Sequence, residues 1–585
     1  MAKPICRPKT RLRNCARLSD DHAGLTLEFY FAQLLTGLAN AASLFLIAAG
    51  LSVIFGVTKI VNFAHGSFFM LGAYVALSAF DGFGGGALGF WGGVIAAALA
   101  VGLLGLVVER VLLRRLYDAP ELFALLATFG LLLIIQDATL AIWGAEDRLG
   151  PRAPGLDGAV RVFGEPIPDY DLALIAIGPL VLGALWLLLN RTRWGVLLRA
   201  ATQDRDMVDA LGVDPRPLFA GAVFLGAALA GLGGALQIPR EAVSLQMDLN
   251  IIAEAFVVVV VGGLGSVGGA FVAAILISVL NAFAVLIAAE LALVLPFAVM
   301  AIVLILRPHG LFGAAEGERR TSARGSAALA PVAQPVGASS LRRRNGLIAL
   351  GVAVLAAPIA LGDVALTLAT DLAIAALFAA SLHFLLGVGG MITFGHAAYF
   401  GLGAYGAALA AQALGAPMLV AMALGAGAAG MAALLFGWVF VRREGVYLAM
   451  LTLAAAQMIW GVAILWRDLT GGDDGVLGVW PPDWAGGDVA YYLIALALCG
   501  GGVWLLRRAA QAPFGAALRG GRDSAVRAAA IGLDLRRHQW AAFGLAGAAA
   551  GLAGAVFAFA KGSVFPDVLS IAQSVDGLLM VLIGG

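Results

Sequence analysis

The sequence predicts an all-α polytopic membrane protein, built as two homologous, parallel helical bundles of about eight spans each, with broken or re-entrant helices. Three observations predict it. Hydrophobic residues make up 61% of the 585 residues and charged residues 12%, whereas a soluble domain carries about 25% charged residues. A soluble fold cannot bury this much apolar surface, so lipid must solvate much of it. Apolar stretches of about 20 residues, the length needed to cross a bilayer, then recur along the whole chain. Finally, the chain repeats itself.

Composition narrows the class further. Glycine is abundant, 78 of 585 residues, which suits closely approaching membrane helices and helix breaks. The three cysteines, Cys6, Cys15 and Cys499, form neither a disulfide framework nor a metal-binding spacing, so no metal site is expected. A net charge of +1 gives no reason to expect nucleic acid as a partner.

The elements follow in order. Residues 1–25 are polar and basic, with Lys3, Arg7, Lys9, Arg11, Arg13 and Arg17. They lack the apolar core and cleavage site of a signal peptide. They read as a disordered extension, or as residues upstream of the natural start. The first domain covers 26–306, with spans near 29–50, 66–80, 89–108, 121–142, 172–189, 218–237, 251–287 (broken near Gly262–Gly269) and 288–306. Residues 307–345, rich in Arg, Ala, Gly, Ser and Pro, read as a flexible cytoplasmic linker reaching about 35 Å. The second domain covers 346–585, with spans near 346–362, 365–387, 396–412, 417–440, 446–466, 489–506, 540–560 and 575–585.

Arginine clusters orient these spans. They fall at Arg110, Arg114 and Arg115, at Arg191–Arg216, at Arg442 and Arg443, and at Arg507–Arg537. The positive-inside rule puts these loops in the cytoplasm. Two spans separate neighbouring clusters within each half, as the rule requires. Trp143, Trp186, Trp194, Trp466 and Trp504 sit at span ends, where interfacial anchors belong.

The internal repeat is the strongest feature. Asn62-Phe63-Ala64-His65-Gly66, followed by Gly72-Ala73-Tyr74, is echoed by Thr393-Phe394-Gly395-His396-Ala397, followed by Gly403-Ala404-Tyr405. His65 aligns with His396 and Tyr74 with Tyr405 at one constant offset. A second block aligns Gly195, Arg199, Gly212, Asp214, Gly231 and Gly234 with Gly515, Arg519, Gly532, Asp534, Gly551 and Gly554. Because the matched Arg-rich loops share a side, the halves are parallel repeats. Gly262-Gly263 aligns with Gly584-Gly585. The first half continues past this point with material for about two more spans, so the second domain is expected to be truncated at its C-terminus. Aligning the halves puts the N-terminus outside, against the pull of a basic tail that reads as lying upstream of the natural start.

These residues resemble a known family. The segment from Asn62 to Gly66, with Gly72-Ala73-Tyr74, resembles the H-type permease subunit of branched-chain amino acid ABC importers. The segment from Thr393 to Tyr405 resembles the M-type subunit, and the additional span at 346–362 fits that type. The resemblance runs from about residue 26 onward, apart from the linker. It implies a fused heterodimeric permease of a bacterial inner membrane, working with two cytoplasmic ATP-binding subunits and a periplasmic substrate-binding protein. Permeases for urea and short amides belong to the same wider family, so these substrates stay open.

The chain has four lysines, Lys3, Lys9, Lys59 and Lys561, and none lies in the G-x-x-x-x-G-K-[ST] pattern a P-loop needs. No enzymatic ATP site and no cofactor are expected within it, so energy must come from a partner or an ion gradient. The loops 191–216 and 507–537 are the candidate coupling elements, with Arg199, Asp204, Met207, Leu211, Gly212 and Asp214 in the first and Arg519, Asp523, Gly532 and Asp534 in the second. Residues 201–212 read as one short surface helix with Met207 and Leu211 on one face, closed by Gly212; 521–532 reads as its copy. A plain basic loop that only anchors topology is the simpler alternative.

Asn62, Phe63 and His65, with Thr393, Phe394 and His396, fall at Gly-rich interruptions of apolar runs and are the candidate substrate pathway. The bland reading is that each histidine caps a helix or bonds a backbone carbonyl across a helix pair. Gly262, Gly263, Gly265, Gly268 and Gly269 lack the strand–helix context of a nucleotide loop and read as a tight turn. A secondary transporter with parallel repeats also fits the symmetry. It would need intramembrane carboxylates, for which Asp137, Glu254 and Asp576 are the candidates.

Overall fold

The computed structural model describes residues 27–117, 121–162, 165–289, 291–313 and 362–584. The N-terminal extension, most of the expected linker and nearly all of the span expected at 346–362 lie outside the described residues. The chain divides into two compact units, Met1–Leu295 and Pro296–Gly585.

The first unit begins with α1 (Leu27–Thr58), α2 (His65–Gly82), α3 (Gly86–Val108, continued by a π-turn over Glu109–Leu113), α4 (Glu121–Trp143) and α5 (Asp169–Arg191). Two short helices follow, α6 (Arg193–Gln203) and α7 (Arg205–Ala210). Then come α8 (Pro215–Gln237), α9 (Met247–Gly262), α10 (Val267–Ile287) and α11 (Leu291–Leu306), the last of which contains the boundary between the units. The second unit repeats the order: α12 (Asp363–His383, extended by a π-turn over Phe384–Val388), α13 (Ala397–Ala413), α14 (Met418–Phe440), α15 (Gly445–Leu465), α16 (Asp488–Gln511), the short pair α17 (Pro513–Asp523) and α18 (Ala525–Ala530), then α19 (Leu535–Lys561) and α20 (Ile571–Gly584).

A helix stands at every span expected within the described residues. Among the described residues, 11 helices are long and apolar enough to cross a membrane. Some of the helices are short. α9 has 16 residues, α13 has 17 and α20 has 14, so at 1.5 Å per residue they reach only about 21–26 Å of a hydrocarbon core near 30 Å. Non-helical backbone precedes each of them. Such backbone is tolerated at membrane depth where protein buries it.

Small extended pieces interrupt the all-helical plan. Ala159–Val162 pairs antiparallel with Glu165–Pro168, and Val476–Leu477 with Ser563–Val564. The glycine-rich stretch after α9 is a tight turn: Gly263 and Gly265 have φ of 104° and 81°, and the Ser266 hydroxyl caps α10 by accepting the Gly269 N–H at 3.1 Å.

The repeated glycines explain themselves in the packing. A Cβ on Gly72 of α2 would collide with the backbone of Gly231 on α8, and one on Gly234 with the Phe69 carbonyl. In the second unit Gly403 of α13 meets Gly551 of α19 in the same way, and Gly554 meets the Phe400 carbonyl. Each unit is thus organised around one helix crossing with backbone against backbone. A tyrosine braces it from the neighbouring span. Tyr170 donates to the Leu236 carbonyl at 2.6 Å, and Tyr491 to that of Val556 at 2.5 Å.

Candidate functional site

In the first unit the chain leaves α1 through Lys59, the one non-glycine residue with positive φ (58°) among the described residues. It then runs without regular helix to His65. The Asn62 carboxamide oxygen accepts the Ala64 N–H at 3.1 Å, which sets the turn, while its amide nitrogen is buried with no partner. Phe63 is buried between Phe129, 5.7 Å away by ring centroids, and Phe256 at 5.1 Å. His65 is wholly buried, and its Nε2 lies 3.1 Å from the Ile47 carbonyl of α1. A carbonyl only accepts, so Nε2 carries the proton; Nδ1 is bare and without a partner.

The second unit builds the same corner with different contacts. Thr393 and Phe394 are buried. The Phe394 N–H donates to the Thr452 hydroxyl at 3.1 Å, and the Ala397 N–H to the Ser574 hydroxyl at 3.0 Å. His396 Nε2 lies 2.7 Å from the Ser381 hydroxyl, which itself donates to the Phe378 carbonyl at 2.6 Å. Ile47 aligns with Phe378 and Gly50 with Ser381 at the offset that aligns the histidines. The two histidines therefore address the same carbonyl position. His65 reaches it directly because Gly50 leaves room, with the imidazole 3.0 Å from where a Cβ would stand. His396 reaches it through a serine hydroxyl. In both units the imidazole ties the broken segment back to the neighbouring helix.

One buried group at this corner escaped the sequence reading. Asp248, in the first turn of α9, is fully buried. It accepts from the Ser67 hydroxyl at 3.1 Å, the Gln136 amide at 3.0 Å and the Leu249 N–H at 2.7 Å. It thereby joins the first turns of α2 and α9 to the body of α4. Gly66 allows the approach, since a Cβ there would strike the Asp248 carbonyl. The available signal was an aspartate at the head of an apolar run with no basic residue nearby in sequence.

The coupling loops hold a correction. Residues 201–212 do not form one helix. Asp204 is extended (φ −149°, ψ 99°) and separates α6 from α7, its carboxylate accepting the Met207 N–H at 2.9 Å. The reason is capping: a short polar side chain offers the first turn an acceptor and favours a fresh start there. Ser524 does the same between α17 and α18, accepting the Arg527 N–H at 3.3 Å. Asp523, picked from the sequence, instead ends α17 and pairs with Arg522 at 3.0 Å. Gly212 and Gly532 close the short helices in the left-handed region, with φ of 84° and 85°. Asp214 and Asp534 cap the membrane helices that follow, accepting the N–H of Arg216 at 2.9 Å and of Arg537 at 3.3 Å. Arg199 donates to the Asn190 carboxamide and Arg519 to the Ala510 carbonyl at 2.7 Å, so each reaches back to the end of the preceding span.

With the matched Gly, Asp and Arg residues committed to shape, large apolar side chains stand exposed among charged ones such as Asp206, Asp209 and Arg527. Met207 is 57% exposed and Leu211 75%; in the second unit Val526 is 81% exposed and Ile531 77%. The sequence reading found the first pair and missed the second. Arg205 turns the other way, its guanidinium 5.7 Å from the Tyr117 ring and 5.6 Å from that of Phe219. Tyr117 donates to the buried Glu109 at 3.1 Å. Burial, and then the Glu109 carboxylate, push the Tyr117 hydroxyl well above its ordinary range, so it stays a donor. This cluster fastens α7 to the π-turn of α3.

Residues 33–304 and 364–585 each match the family described as branched-chain amino acid transport system / permease component. The chain belongs to this family. Half of the chain accounts for 98% of the high-affinity branched-chain amino acid transport system permease protein BraD of Pseudomonas aeruginosa, at 29% identity. LivH of Escherichia coli is 26% identical over 50% of the chain and 98% of its own length. LivM of the same organism is 25% identical over 42% of the chain and 64% of its own length. The chain is thus similar to permeases of both the H and the M type, with the family's domain present twice. No solved structure matches it. As a family member of this build, it is a multi-pass membrane protein.

Proposed function

We propose that this permease forms the transmembrane pathway of an ATP-driven importer for branched-chain amino acids in a bacterial inner membrane. It works with two cytoplasmic ATP-binding subunits and a periplasmic substrate-binding protein. The Asn62–His65 and Thr393–His396 corners lie along the pathway, and each half offers one coupling element. The reading calls for no cofactor and no ATP site within the chain itself.

The observation that carries the proposal is the paired short helices. α7 and α18 are capped alike, closed alike by a left-handed glycine, and present large apolar side chains on the Arg-rich side of the protein. A loop that served only to anchor topology would need arginine and nothing else. A secondary transporter would need neither helix. The substrate class rests on the relatives' names, and urea or a short amide is the alternative outcome of the test.

Co-purification tests the partners: the full chain expressed with its ATPase subunits is expected to retain both through detergent extraction. Combined Met207→Asp and Leu211→Asp removes apolar anchors worth about 3–6 kcal/mol, so the first ATPase should dissociate and uptake should cease, with membrane levels unchanged. Normal uptake in that variant removes the coupling assignment. The binding protein's melting temperature should rise with leucine, isoleucine or valine; a rise with urea or acetamide alone would reassign the substrate.

A further inference from the structure

Glu254 of α9 and Asp576 of α20 are aligned in the internal repeat, at the same offset as the glycine pairs that end these helices. Each interrupts an apolar helix. Glu254 stands between the buried residues Ala253 and Ala255, and Asp576 between the buried residues Val575 and Gly577, yet both carboxylate residues are exposed. Neither forms an ion pair among the described residues. Position 254 remains exposed in a half where α10 packs on α9, so its exposure belongs to the fold.

A carboxylate facing lipid at the centre of a span costs about 2.5–3.5 kcal/mol or more. Both halves keep one at the same place. Such a residue faces water or a polar ligand. Asn250, one helical turn before Glu254, is exposed on the same face of α9, so that face is polar over more than one residue. The buried Asp248 cannot substitute for Glu254, since three donors already hold its carboxylate.

We propose that Glu254 and Asp576 stand on the water-facing wall of their respective halves and that each, within its own half, can bind the ammonium group of a transported amino acid. The assignment rests on the amino-acid reading of the pathway. It makes the permease itself selective for a cationic amine, beyond whatever its binding protein admits. An unpaired carboxylate suits an ammonium ion, and each half carries one at the aligned position.

The experiment uses the full chain with its ATPases and binding protein, and radiolabelled leucine as probe. Glu254→Gln and Asp576→Asn are each expected to lower the initial uptake rate by about tenfold or more, the worth of one charge-assisted contact. Glu254→Asp and Asp576→Glu should keep most of it. Wild-type uptake by both neutral variants overturns the proposal. If the parent complex imports urea and no leucine, the amino-acid reading falls, and the ammonium assignment with it. A second readout needs no transport. Glu254→Cys and Asp576→Cys, in a chain carrying Cys6→Ser, Cys15→Ser and Cys499→Ser, should react with a charged, membrane-impermeant thiol reagent. Failure of both to react places them against lipid and ends the proposal.

Discussion

Gly234→Leu in the first half, and Gly554→Leu in the second, should each prevent the protein from accumulating in the membrane. The contact at risk is backbone against backbone: any Cβ at these positions meets the carbonyl of Phe69 or of Phe400. A side-chain neighbour could rotate away, but a carbonyl inside a helix can move only if the helix moves. The crossing of α2 with α8, or of α13 with α19, would have to open along its length, at a cost of about 3 kcal/mol or more. The measurement is the amount of intact, monodisperse protein after detergent extraction. Gly183→Leu and Gly500→Leu are the controls, because a Cβ there meets nothing within 4 Å. Equal yields for all four variants would show that the crossing is looser than described.

Asp248→Leu should lower the thermal stability of the detergent-solubilised protein more than any other single polar truncation in the first half. It strips acceptors from the Ser67 hydroxyl, the Gln136 amide and the Leu249 N–H. Each buried donor left unsatisfied costs about 1–3 kcal/mol. Asp248→Asn keeps one acceptor oxygen and should fall between Asp248→Leu and the parent. If the leucine variant melts with the parent, the three helices are held together by packing alone. This result is independent of the transport assay proposed for Glu254, which lies on a different face of the same helix.

Much of this architecture was legible in the sequence because it depends on composition and spacing. Apolar length located the helices, and the repeat announced two similar halves. The glycines flagged by that repeat proved to be helix crossings, corners and helix stops, each a place where a side chain does not fit. Contacts between distant segments were harder to read. Nothing near Asp248 in sequence names Ser67 or Gln136 as its partners, since α2 and α4 are far away along the chain. Ser524 was passed over for Asp523 because capping depends on where the backbone turns extended, and both residues can cap.

Carrying two permease units in one polypeptide has a consequence at the level of gene dosage. Where the units are separate chains, the cell must balance two syntheses, and surplus of one is available to pair with itself. Here every translation event delivers one of each, and tethering keeps each unit at a high effective concentration for its counterpart. The arrangement also removes redundancy. A lesion in either unit is inherited by every assembled copy, and no intact free subunit can be exchanged for the damaged one.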